Sequence, residues 1–125
     1  MDWRPLGVFA VGRDANAGSQ RAMQLAINKD GVLTGTYFNR ENGEVHPVSG
    51  MVDERTQRAA WAFADGTQQE VVFETALYNL TRDHSTMMVH FGPSADNTEV
   101  WHLARLEEPE STGAAQSQST TRSLP

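Results

Sequence analysis

Asp30-Gly31-Val32-Leu33-Thr34-Gly35-Thr36-Tyr37 is the stretch that decides the fold. Asp-Gly is a tight-turn dipeptide, because glycine reaches the positive φ that a two-residue turn demands. The run that follows it, Val32–Asn39, is rich in β-branched and aromatic side chains and reads as a strand. Alternation turns Tyr37 and Asn39 to one face of it. The run before it, residues 22–28, alternates with a period of two: Met23, Leu25 and Ile27 oppose Gln24, Ala26 and Asn28. The stretch therefore predicts a β-hairpin with one apolar face.

The same pattern repeats outward along the chain. Asn42-Gly43 and Asp65-Gly66 are further turn dipeptides, and residues 12–19, 53–57, 81–85 and 92–97 are polar and loop-like. A short 3₁₀ turn fits the loop at 13–20. Between these marks lie eight apolar-bearing runs: 7–11, 22–28, 32–39, 45–52, 58–64, 70–80, 86–91 and 99–106. In the fifth, Trp61 and Phe63 face one way. In the sixth, Val71, Phe73, Thr75 and Leu77 oppose Val72, Glu74, Ala76 and Tyr78. In the last, Trp101, Leu103 and Arg105 oppose Val100, His102 and Ala104. Helix is the competing reading for the long sixth run, but its Val-Val-Phe and Thr content favours a strand, and no capped amphipathic stripe of ten residues exists. Eight strands of about 8 residues with loops of about 5 give roughly 100 residues. A two-sheet sandwich has the same strand count. Consecutive hairpins without a long crossover favour an all-β, eight-stranded antiparallel up-and-down barrel, which abolishes the sheet edges. Such a barrel holds side chains or one small ligand.

Composition narrows the function. The chain has 125 residues, no cysteine, a formal net charge of -6 and 38% hydrophobic residues. The missing cysteines exclude a disulfide scaffold, Cys-ligated zinc and a thiol nucleophile. The acidic balance argues against a nucleic-acid or anionic-membrane surface. No apolar run of 7–15 residues stands at the start, so no signal peptide is expected, and no run approaches a membrane span, so membrane insertion is not expected. From Pro109 to Pro125 the chain has one leucine and no aromatic residue. Such a segment cannot offset its ordering entropy. The expected organisation is a barrel domain over 1–108 and a disordered polar tail or linker over 109–125.

Asp30-Gly31-Val32-Leu33-Thr34-Gly35-Thr36-Tyr37 also resembles the third-strand segment of the avidin and streptavidin family, a calycin-type barrel. Val48-Ser49-Gly50-Met51-Val52-Asp53 is similar to that family's fourth strand, and Ala60-Trp61 falls where the family has a tryptophan-bearing fifth strand. The resemblance implies an avidin-like barrel with a ligand in its lumen and pairing of barrels into a homo-oligomer through their outer faces. Tyr37 matches the third-strand tyrosine that reads the biotin ureido group. The family's first-strand Asn falls near Val11 and its last-strand Asp near Arg105, and its interior tryptophans on strands six and seven fall at Phe73 and at Val89 or His90. The resemblance thus supports the fold and leaves most biotin contacts unmatched. A second resemblance runs from Pro5-Leu6-Gly7-Val8-Phe9-Ala10 through Arg58-Ala59-Ala60-Trp61 to Val89-His90-Phe91-Gly92. These segments look like a C-terminal domain of uncharacterised planctomycete proteins, some labelled as cell-surface proteins.

The chemistry-bearing residues point to binding. His46, His84, His90 and His102 form no HxH or HxxxH pair, so no metal site is expected, although a hairpin of the last two runs would make His90 and His102 cross-strand neighbours. Ser49 lacks a nucleophile elbow, Glu74 and Asp53 are the one carboxylate pair to weigh, and no phosphate loop exists. A non-enzymatic barrel without cofactor is the expectation. Its candidate ligand-binding set is Tyr37, Asn39, Trp61, Phe73 and Thr75, with Arg105 on the last strand. An inward Arg105 requires an anion, from Glu74 or from a ligand carboxylate. The competing reading is a filled core, with the aromatics as packing, in an interaction module of a larger surface protein. Val72, Met88 and Trp101 are the apolar contacts for a partner if they lie outside.

Overall fold

The computed structural model describes residues 2–14, 20–92 and 95–106. Eight strands make one closed antiparallel barrel in sequence order: β1 Trp3–Gly12, β2 Arg21–Asn28, β3 Val32–Asn39, β4 Glu44–Asp53, β5 Arg58–Phe63, β6 Val71–Ala76, β7 His84–Phe91 and β8 Thr98–Arg105. Closure comes from β1 lying against β8, with Phe9 opposite Arg105 and Val11 opposite Leu103. This is the up-and-down barrel that the turn spacing predicts. The tail expected over 109–125 and most of the loop at 13–20 lie outside the described residues.

The turns form as their chemistry dictates. In the Asp30-Gly31 hairpin, Gly31 takes φ +81° and its N–H donates to the Asn28 carbonyl at 3.1 Å. The buried Asn28 side chain accepts from the Asp30 and Val32 amides at 2.9 and 3.0 Å. The Asp53 and Asp65 side chains close their turns by the same device. The long sixth run departs from the expected strand. It pairs only as far as Ala76, and Leu77–Thr81 turns into a 3₁₀ helix. The reason is the location of Leu80, which is fully buried. An extended chain would carry it past the barrel, and a 3₁₀ turn drops it onto the end of the core, which it caps.

Alternation sorts the side chains as expected. Phe9, Val11, Met23, Leu25, Leu33, Tyr37, Val48, Trp61, Phe73, Val89 and Leu103 fill the interior. Trp61 is central: its ring stacks on Phe73 at 5.9 Å and its indole N–H donates to the Met23 sulfur at 2.8 Å. Gly50 lies directly opposite it on β4, and a Cβ there would strike the Ala60 carbonyl and the Trp61 backbone. Trp101 is interior as well, not an outward contact. The exposed apolar side chains on the outer wall include Met51, Val72 and Val100. His90 and His102 are not neighbours: His90 faces Thr98, and His102 faces Thr86.

Candidate functional site

The two ends of the barrel are built differently. At one end the 3₁₀ turn Leu77–Thr81 lies across the strands as a plug. Arg105 reaches in from β8 and ties this plug down. Its guanidinium donates to the Leu6 carbonyl at 2.7 Å and to the Leu80 carbonyl at 2.9 Å, and lies 4.9 Å over the Phe9 ring. Room for it comes from a β-bulge between Pro5 and Gly7, where Gly7 has φ +142° and a Cβ would occupy the place of the Arg105 Nη1. Arg105 therefore points inward, but Glu74 is not its partner. Carbonyl dipoles and a ring face satisfy it, with the exposed Asp83 carboxylate 3.5 Å away. Glu74 cannot serve, because alternation along β6 sends Phe73 and Thr75 inward and Glu74 out. There it joins a surface chain in which His90 bonds Glu74 at 2.9 Å and Thr98 at 2.9 Å, and Arg58 donates to Glu74 at 3.3 Å. His90 first, and Arg58 after it, hold the Glu74 carboxyl below its usual range. Asp53, the other carboxylate of the weighed pair, closes its own turn.

The opposite end is open among the described residues. A cavity of about 460 Å³ enters the lumen there, within the usual range for small-molecule sites. Its walls are aromatic. Tyr37 meets Phe63 edge-on at 5.2 Å and stacks near Phe73 at 6.1 Å, while Phe91 and Trp101, 6.2 Å apart, form the β7–β8 side. Tyr37 is only 7% exposed, and its hydroxyl makes no hydrogen bond to any described residue. Burial pushes its pKa up against the opposing charge of Arg21, so the phenol stays neutral. A neutral, buried, unpaired hydroxyl at a cavity wall is the group a ligand would satisfy.

The rim is charged and cross-linked. Arg13 donates to both oxygens of Glu99, at 2.6 and 3.3 Å, and lies 5.6 Å over the Trp101 ring. Trp101 in turn donates its indole N–H to Glu99 at 2.9 Å. Arg13 first, then Trp101, keep the Glu99 carboxyl below its usual pKa. Across the mouth, His46 is held between Asp65 at 2.8 Å and Glu44 at 3.1 Å, edge-on to Phe63. Asp65 and then Glu44 raise the imidazole pKa, and His46 with the Thr67 hydroxyl holds Asp65 down at about 2. The two carboxylates lie on opposite ring nitrogens, and no group of three metal-ligating side chains exists among the described residues. No helix among the described residues is long and apolar enough to cross a membrane.

Of the six residues expected to bind a ligand, Tyr37, Asn39 and Phe73 line this cavity. Asn39 has its side-chain oxygen on the Glu41 amide at 3.0 Å, holding the β3–β4 turn. Trp61 lies one layer deeper, beneath Phe73. Thr75 is deeper still: its hydroxyl donates to the Thr86 carbonyl at 2.8 Å and accepts from the Asn79 amide at 2.9 Å. Arg105 stands at the plugged end. The cavity residues outside the expected ligand-binding set include Phe63, Phe91, Trp101 and the rim. Phe63 and Trp101 could have been found, since each sits two residues from an inward side chain of its own strand. The Arg13–Glu99 pair joins residues 86 apart and has no local signal. Comparison of the chain with family models, with curated proteins and with solved structures finds no match, so the site stands on its own geometry.

Proposed function

We propose that this protein is a non-enzymatic, avidin-like barrel that binds one small, flat, largely apolar molecule at its open end. The observation that carries this reading is the buried Tyr37, whose hydroxyl has no hydrogen-bond partner among the described residues, beside an aromatic cavity of about 460 Å³. Packing alone does not call for a hydroxyl at that wall with no bond to a described residue. A ligand that bonds the hydroxyl and covers Phe73 and Phe63 pairs it and buries apolar surface at once.

Biotin is not the expected ligand. Val11 offers no donor where the resembling family has Asn, and Arg105 is engaged at the plugged end. The test is a thermal-shift screen of small aromatic and heterocyclic compounds, biotin included. A binder present at about 100 times its Kd raises stability by about 2.7 kcal/mol, which is readily seen. Hits that lose affinity in Tyr37→Phe and Phe73→Leu support the reading. A broad screen without a single hit would count against it and in favour of an interaction module whose lumen takes nothing.

A further inference from the structure

The mouth of the cavity has a charge that a ligand must match. Its rim carries Arg13, Asp14, Arg21, Glu41, Glu44 and His46. Arg13 is engaged by Glu99, and the two arginines are outnumbered by the carboxylates of Asp14, Glu41, Glu44, Asp65 and Glu99. His46 sits between Glu44 and Asp65, so one imidazole faces two carboxylates, and the cluster stays negative even when the ring is protonated. Glu41, exposed on the β3–β4 turn, makes no ion pair among the described residues. The rim is therefore net acidic. Beneath it lie ring faces and edges on two sides, Tyr37, Phe63 and Phe73 on one and Phe91 and Trp101 on the other. A negative rim and the negative faces of aromatic rings both favour a cation. Tyr37 is the independent observation: the residue is 7% exposed, lines the cavity from β3, and its hydroxyl has no hydrogen-bond partner among the described residues. Its oxygen can accept an N–H.

Taking the mouth as the ligand site proposed above, we infer that its ligand is an organic cation, a protonated amine on a flat apolar body. The body lies between the two aromatic walls. The ammonium sits just beneath the rim, where it donates to the Tyr37 oxygen, with Glu41 and the other rim carboxylates above it. An anionic body of the same shape meets the opposite field and is rejected.

Three probes of similar shape test this: 2-phenylethylammonium, 2-phenylethanol and 3-phenylpropionate, titrated into the full chain and followed by tryptophan fluorescence and aromatic NMR shifts. The cation is expected to bind about tenfold more tightly than the anion, an advantage that shrinks at high salt. Glu41→Gln is expected to weaken the cation about threefold and leave the alcohol unchanged. If the alcohol or the anion binds as tightly as the cation, the charge inference is overturned while the cavity remains a ligand site. If none of the three moves the Tyr37, Phe63 or Phe91 resonances, the site itself is refuted and the inference falls with it.

Discussion

Replacing Arg105 should unfasten the plugged end of the barrel. The side chain makes two charge-assisted hydrogen bonds, to the Leu6 and Leu80 carbonyls, and covers the Phe9 ring. Hydrogen bonds to a charged group contribute about 1.5–3 kcal/mol each, and a partly exposed cation–π contact about 0.5–1 kcal/mol. The side chain is 27% exposed, so water can reach the freed carbonyls and the low end applies. Arg105→Ala should then cost about 3–4 kcal/mol. That is a large part of the roughly 5–15 kcal/mol that holds a domain, and lowers Tm by about 12–30 °C for a domain of this size. Urea unfolding followed by tryptophan fluorescence reads this as a lower midpoint at unchanged slope. Arg105→Lys keeps the charge but lacks the planar fork that spans two carbonyls, so it should restore less than half of the loss. A loss below about 1 kcal/mol for alanine, or full recovery with lysine, would refute the plug as the role of Arg105.

Three further outcomes follow from the same geometry. Tyr37→Phe should leave stability unchanged or raise it by up to about 1 kcal/mol, since it deletes an unpaired hydroxyl; a clear loss in urea unfolding would mean the hydroxyl has a partner within the fold. His46 should titrate above its ordinary 6.5, by NMR, and fall back toward that value in Asp65→Asn. Because its folded pKa is raised, its contribution is complete below about 6.5 and is lost as pH rises through the folded value, while Asp65, held at about 2, contributes above its ordinary 3.8 and loses that as pH falls toward 2. A His46 midpoint that ignores Asp65 would dismiss the clasp between β4 and the 64–70 loop. Gly50→Ala should cost about 2 kcal/mol or more in urea unfolding, because its Cβ strikes backbone, whereas Gly12→Ala, with open space around it, should stay within about 0.5 kcal/mol; equal effects would show that the barrel does not need Gly50 for close strand approach.

The fold was legible because its signals are local. Asp30-Gly31 and Asn42-Gly43 set turns, and alternation around Met23, Trp61 and Phe73 set the inward faces. The sixth run misled because period-two alternation continues through Leu77, while the 3₁₀ turn after Ala76 is imposed by burial of Leu80, a tertiary demand with no local mark. The candidate site was half legible for a related reason. Alternation tells which face a residue is on and nothing about its depth along the barrel axis. Tyr37, Phe73, Trp61, Thr75 and Arg105 all point inward, yet they are spread from the open mouth to the plug. Depth depends on strand stagger, which emerges only once the barrel closes. The partners of Arg105 were equally out of reach, since backbone carbonyls at Leu6 and Leu80 carry no side-chain signature.

The central claim, that ligand enters at the open end and stops above the Trp61 layer, is tested most directly by methyl and aromatic NMR mapping with the tightest binder from the screen. Shifts are expected at Val11, Val71, Val89 and the Tyr37 ring, with Leu25, Leu33 and Leu80 unmoved. Shifts confined to the outer wall, at Met51, Val72 and Val100, would contradict it.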